Sequence, residues 1–332
     1  MSLLRILLTT VVMSMLLVYG VVYGLTSYSL PEISPSILWF VESNPSGLDD
    51  SAQASCLAGE YVVVAGSDSS PGNSQFRVEA RFKSNGSLVF HVVRDLSSDN
   101  EYLSDCVSVG GRVFVVGAKP EPIPPKAYMA VLDVDSRDFS IKELGWFGLS
   151  SSIAYDGSYV YVGGGDADLS KLLLVFRVDK FDPSSLSRVA YYKSGGLSEH
   201  HSAVVGMGIN VKTGHLWLVG VARKDSTDRW WVEVIDRGSM RLVKSVDLNI
   251  PGWATGVTSD SEGNVYIVGD RGVIVKLDSE GRFVKRVERP GAAFYKILFY
   301  EGALLILGHE KTANYYRHIV YVFDLDLNLI NI

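Results

Sequence analysis

The stretch "GNVYIVGD" (263–270) decides the fold, because near copies of it stand at five other places in the chain. They are "EYVVVAGS" (60–67), "RVFVVGAK" (112–119), "SYVYVGGG" (158–165), "HLWLVGVA" (215–222) and "ALLILGHE" (303–310). Each is a run of β-branched and aromatic residues closed by a glycine, which is the composition of a strand rather than a helix. Its near-continuous apolar character is that of a strand covered on both faces. A tight turn leads into every copy ("LAGE", "VGGR", "YDGS", "KTGH", "SEGN", "YEGA"). After each come a loop of variable length, a third strand such as "VIVKLD" (273–278), a second tight turn such as "KSNG" (83–86), and an outer alternating strand such as "RLVKSVDL" (241–248).

The closing glycines Gly66, Gly117, Gly163, Gly220, Gly269 and Gly308 are separated by 51, 46, 57, 49 and 39 residues. A four-stranded unit repeating at that period is a propeller blade, and radial closure removes most exposed strand edges. The expectation is an all-β chain whose residues 37–332 form a six-bladed β-propeller. A solenoid would repeat at shorter intervals and carry caps. The segment "SILWFVES" (36–43) has the outer-strand pattern and is expected to complete the sixth blade, whose own fourth strand is stunted at "LNLINI".

The run "ATGVTSDSEGNVYIVGD…GVIVKLDSEGRFVKRV" (254–287) resembles the β-propeller repeats of bacterial and archaeal cell-surface proteins, of NHL-like type. Their units read Asp-x-x-Gly-Asn-Val-Tyr-Val-x-Gly and then Lys-Leu-Asp-x-x-Gly. The first unit is similar but carries Arg81-Phe82-Lys83 in place of Lys-Leu-Asp. The resemblance implies an architecture and a surface setting; it implies no activity, since propellers host unrelated functions.

At 332 residues, 47% hydrophobic and with a net charge of -6, the chain reads as globular and lacks the basic footprint of a nucleic-acid binder. Glutamine is confined to Gln53 and Gln75, a composition that points to a hot-living source. Residues 6–25 ("ILLTTVVMSMLLVYGVVYGL") are almost wholly apolar, and twenty helical residues span roughly 30 Å, the thickness of the hydrocarbon layer. The expectation is a single N-terminal transmembrane signal-anchor over residues 1–25, with 26–36 as linker. A cleaved signal peptide is the competing reading, and it would leave the domain secreted. Arg5 precedes the span and the next cation is Arg77, so the positive-inside rule puts the bulk of the chain outside the cell. The linker meets the tight-turn face, which then looks toward the membrane, and the long-loop face points away.

Functional residues concentrate on loops held by a rigid scaffold, so the long-loop face is the expected site. Counting back from each closing glycine to the mouth of the central channel meets Asp50, Glu101 and Tyr102, Trp146 and Phe147, His200 and His201, Trp253, and Phe294 and Tyr295. Such a rim of acids, histidines and aromatic rings suits a glycan, an envelope component or another surface protein. The alternative is that the aromatic residues plug the channel and pack between blades. Adjacent histidines point to opposite sides of a strand, so the pair at 200 and 201 does not share one metal. "DADLS" (166–170) lacks the glycine and the distant glutamate of a calcium loop. No cofactor is expected. An extracytoplasmic hydrolase or lyase acting at the channel mouth, and a structural subunit of a surface assembly, are the competing functions; no nucleophile elbow or ligand-spaced cluster supports the enzyme. Cys56 and Cys106, out of register by one residue on adjacent inner strands, are expected to face one another across a blade interface where a disulfide is allowed. Asn85-Gly86-Ser87 is a glycosylation acceptor on a hairpin whose Asn-Gly also serves the turn.

Overall fold

The structure is a computed structural model that describes residues 39–331 apart from 42, 44, 48–49, 71, 99, 120–124, 169, 171–172, 195–201, 225 and 313–315. The described residues form strands and turns and no helix. Residues 6–25 lie outside them, and no described helix is long and apolar enough to cross a membrane. The chain divides into two compact units, 1–150 and 151–332.

In the first unit, β1 (Ser51–Ala58), β2 (Tyr61–Asp68), β3 (Gln75–Phe82) and β4 (Leu88–Arg94) form an antiparallel sheet in chain order. The next three strands, β5 (Tyr102–Val109), β6 (Arg112–Lys119) and β7 (Lys126–Asp133), are followed by β8 (Phe139–Tyr155), whose first part pairs with β7. The second unit begins within β8, whose last residues lie beside β9 (Val160–Asp168), followed by β10 (Leu173–Phe181) and β11 (Arg188–Lys193). Three further four-stranded meanders complete it. They are β12 (Ser202–Asn210), β13 (His215–Lys224), β14 (Thr227–Asp236) and β15 (Arg241–Pro251); then β16 (Ala254–Ser259), β17 (Val265–Gly269), β18 (Val273–Leu277) and β19 (Phe283–Glu288); then β20 (Ala292–Tyr300), β21 (Ala303–Lys311), β22 (Tyr316–Phe323) and β23 (Leu329–Asn331).

At five of its six places the recurrent glycine has one physical cause. In five sheets the first strand carries a bulge, at Gln53, Ser104, Val205, Thr255 and Tyr295, and the residue just before it is the rung partner of Gly66, Gly117, Gly220, Gly269 or Gly308. The bulge swings the preceding carbonyl toward the second strand. A Cβ on those glycines would stand 1.8 to 2.3 Å from the backbone oxygens of Ser51, Tyr102, Ala203, Trp253 and Ala293. Gly163 departs from this pattern, since a Cβ there would first meet Val204 Cγ1 at 3.3 Å.

The rest of the motif is one hydrogen-bonded turn. The buried carboxylate of Asp260 accepts from the Asn264 amide at 2.9 Å, the Asn264 side chain at 2.8 Å and the Tyr266 hydroxyl at 2.9 Å, while Gly263 turns the chain at φ 84°. Consecutive sheets are then fastened by side chains that reach the next one. Lys276 Nζ donates to Leu325 O at 2.8 Å and Lys180 Nζ to Arg237 O at 2.9 Å. Lys244 and Lys285 donate to the turn carbonyls of Glu280 and Asp326. Ser151 and Thr255 donate to the carbonyls of Val204 and Phe294, the next sheet's partners of Gly220 and Gly308. Among the described residues, apolar layers lie between sheets in both units. Trp217 and Trp230, fully buried in one layer, each contribute roughly 3 kcal/mol by leaving water.

The expected outer-strand segment 36–43 is described only at 39–41 and 43, and those residues form no strand. Trp39 Nε1 donates to Lys83 O at 2.7 Å and Ser43 Oγ to Glu79 Oε1 at 2.9 Å, so they pack on the first sheet. The last sheet has a fourth strand of its own, β23, three residues long.

Candidate functional site

The residues expected at a ligand-binding rim divide into two groups. Asp50, Glu101, Trp146 and Phe294 are buried. Asp50 organises its own loop, accepting from the Ser46 hydroxyl at 2.7 Å and the Ser69 amide at 3.0 Å. Glu101 caps the connection from β4 to β5 through the Leu96 amide at 2.8 Å and the Ser97 hydroxyl at 3.1 Å, and burial raises its pKa. Phe294 packs edge-on to Tyr321 with ring centres 5.4 Å apart. Tyr102 is half-buried at the start of β5. Phe147, Trp253 and Tyr295 are exposed. His200 and His201 lie outside the described residues. Cys56 and Cys106 are half-buried on β1 and β5, and Asn85 is exposed in the turn after β3, where its side chain accepts from the Ser87 amide at 2.9 Å.

Two of the exposed rings are mounted on built supports in the second unit. The indole of Trp253 donates to Asp228 at 3.3 Å, while Asp228 also takes the Arg223 guanidinium at 2.8 Å; the Trp253 amide donates to Asp270 at 3.0 Å. This fixes the ring and leaves nearly half of the residue in solvent, 46%. Tyr295, the bulge residue of β20, hydrogen-bonds through its hydroxyl to Nδ1 of His309 on β21. His309 stands edge-on to Tyr316, ring centres 4.8 Å apart, and directly opposite His318 on β22. Tyr295, His309, Tyr316 and His318 therefore make one aromatic patch at the long-loop end of the last sheet, with Tyr316 58% exposed.

The electrostatics of this patch favour uncharged rings. Burial holds both imidazoles below the usual histidine range, and for His318 the charge of His309 adds to it. Nε2 of His318 is buried with no hydrogen-bond partner among the described residues. The neighbouring Glu310 alternates to the other side of the strand, where it takes Arg317 at 2.9 Å and the Tyr321 hydroxyl. Among the described residues no group of three or more His, Cys, Asp or Glu side chains could hold a metal ion. The arrangement can stack flat faces and exchange single hydrogen bonds with a ligand.

Tyr295 and Trp253 are among the residues expected from the sequence; the partners of Tyr295 are not. The signal lay in "HEKTANYYRH" (309–318), a hairpin whose first and last residues are both histidine. Pairing of Lys311 with Tyr316 brings those ends face to face.

Comparison of the sequence with protein-family models and with curated proteins gives no match. The structure is similar to the crystal structure of BamB from Moraxella catarrhalis, with a TM-score of 0.52 and 12% identity, over 82% of this chain and 72% of that one. At that identity the likeness shows the fold alone. The fold is a β-propeller.

Proposed function

We propose that the protein is a binding module that takes a flat-faced ligand, a glycan or an extended segment of a surface or envelope protein, on the long-loop end of its sheets. The observation that carries this reading is the patch in which the exposed rings of Tyr295 and Tyr316 are held in fixed orientation about the half-buried His309. Rigid aromatic faces give contact area with little loss of side-chain freedom, which is why they dominate binding surfaces. Residues 6–25 serve in this proposal as a membrane anchor that leaves the domain outside the cell.

The proposal includes a six-bladed ring completed by the segment before β1. Trp39 donates to the turn carbonyl of Lys83 as Lys244 does to that of Glu280. Ser43 bonds to Glu79 as Ser194, just after the outer strand β11, bonds to Glu233 of the next sheet. Trp39 and Ser43 thus make toward the first sheet the contacts that an outer strand makes toward its successor.

The test is binding of fragment 37–332 to a glycan array and to solubilised envelope proteins, with Tyr295→Ala and Tyr316→Ala in parallel. Binding that both substitutions weaken at least tenfold supports the proposal. Binding that neither changes places the surface elsewhere and removes its basis.

A further inference from the structure

Cys56 and Cys106 stand on neighbouring inner strands and pack against one apolar layer between the first two sheets. Cys56 lies level with Val63 and Ala80, and Cys106 with Val115 and Ala130; all four partners belong to that layer. Side chains on one rung share a face of a sheet, so both thiols enter the same space.

The repeat sets how near they come. Counted from the rung of the closing glycine, Cys56 stands on the third rung and Cys106 on the second. Two consecutive sheets of the second unit put Gly208 and Val257 in those same two positions. A Cβ built on Gly208 stands 2.8 Å from the Val257 carbonyl oxygen, so those two strands lie closer than a pair carrying side chains at both positions. It stands 3.2 Å from Cγ1 of Val257, an atom in the place of a cysteine sulfur. A disulfide holds each Cβ about 3 Å from the opposite sulfur, as its bond lengths require.

We propose that Cys56 and Cys106 form a disulfide that joins the first two sheets when a disulfide oxidant is supplied. With glutathione disulfide, one protein thiolate attacks a glutathione sulfur and releases glutathione thiolate. The second protein thiolate then attacks the mixed disulfide and releases another. Two protein thiols are oxidised, one glutathione disulfide is reduced to two glutathione thiols, and the two protons of the protein thiols pass to them.

The experiment refolds the full chain in a glutathione redox buffer, traps free thiols, and maps peptides without reduction. The expected result is a cross-linked peptide pair containing Cys56 and Cys106, lost in both Cys56→Ser and Cys106→Ser, and a thermal midpoint several degrees above that of the reduced chain. Both serine variants should keep the midpoint of the reduced wild type, which separates loss of the bond from loss of the fold. Recovery of two trapped thiols, or of two separate glutathione adducts, from a refolded chain would overturn the proposal.

Discussion

Glu79 and Glu233 occupy the same place in two sheets, two residues beyond the rung partners of Gly66 and Gly220, and their carboxyls are driven in opposite directions. Burial raises both. At Glu79 it is outweighed by Arg81 and Arg77, whose guanidiniums lie 2.6 and 2.8 Å away, and the net pKa is lowered. At Glu233 the neighbours are the hydroxyls of Ser194 and Tyr192 and the Trp231 indole, and burial prevails. Glu79→Gln leaves the buried Arg81 short of its anion, while half-buried Arg77 keeps Asp68 at 2.9 Å. It is expected to cost about 3 kcal/mol at neutral pH, whereas Glu233→Gln keeps hydrogen bonds and is expected within about 1 kcal/mol of wild type. The pH dependences differ in sign. The stability that ionised Glu79 confers is complete above the unfolded glutamate value and is lost as pH falls through its lower folded value. The raised Glu233 makes the wild type lose stability as pH rises from the unfolded value toward the folded one. Denaturant midpoints of each variant against wild type, from pH 4 upward, should therefore diverge in opposite directions; parallel curves would contradict the assignment.

Gly269→Ala places a Cβ 2.2 Å from the Trp253 carbonyl and the Trp230 ring, so neither backbone nor core can yield cheaply. The expected loss is about 3 kcal/mol or more. Gly59→Ala, at φ 56° with nothing within 4 Å, is expected to cost only about 1–2 kcal/mol of backbone strain. Urea unfolding of the two variants checks the ratio.

Protonation should disrupt the aromatic patch. Both folded imidazoles titrate below the unfolded value, so the folded state takes up protons less readily and loses stability as pH falls through the histidine range. Two adjacent positive charges would then face each other across β21 and β22. NMR titration should give midpoints under 6.5 for His309 and His318, and ligand binding should weaken between pH 7 and 5. His318→Gln should flatten that pH dependence while retaining binding at pH 7.

Asp260→Ala removes the acceptor of three hydrogen bonds in the turn before β17. The Tyr266 hydroxyl keeps the Leu325 carbonyl at 3.1 Å, so the loss is expected at about 2–3 kcal/mol rather than more. Calorimetry of the single variant, and of its combination with Tyr266→Phe, should show less than additive losses.

The strands, their turns and the repeat were legible because "DSEGNVY" (260–266) is local chemistry: acceptor, turn glycine and donors lie within seven residues. The site was less so, because the turn between the first two strands varies in length, two residues at 59–60 and five at 260–264, and one count back from the glycine therefore reaches different rungs. By register Trp253 corresponds to Tyr102 and Ala293, not to Phe294 or Tyr295. A one-residue slip exchanges the two faces of a strand. Trp146 and Phe147, neighbours on β8, show that alternation: the first is buried and the second exposed. The burial of Asp50 and Glu101 follows from loop hydrogen bonds that composition does not disclose.

The extra residue on these five inner strands is also a position of chemical licence. Gln53, Ser104, Val205, Thr255 and Tyr295 differ in size, polarity and hydrogen-bonding capacity, yet all sit where no rung partner is assigned to them. A lineage of such chains could exchange these five side chains, and with them what the scaffold touches, without re-registering a single sheet.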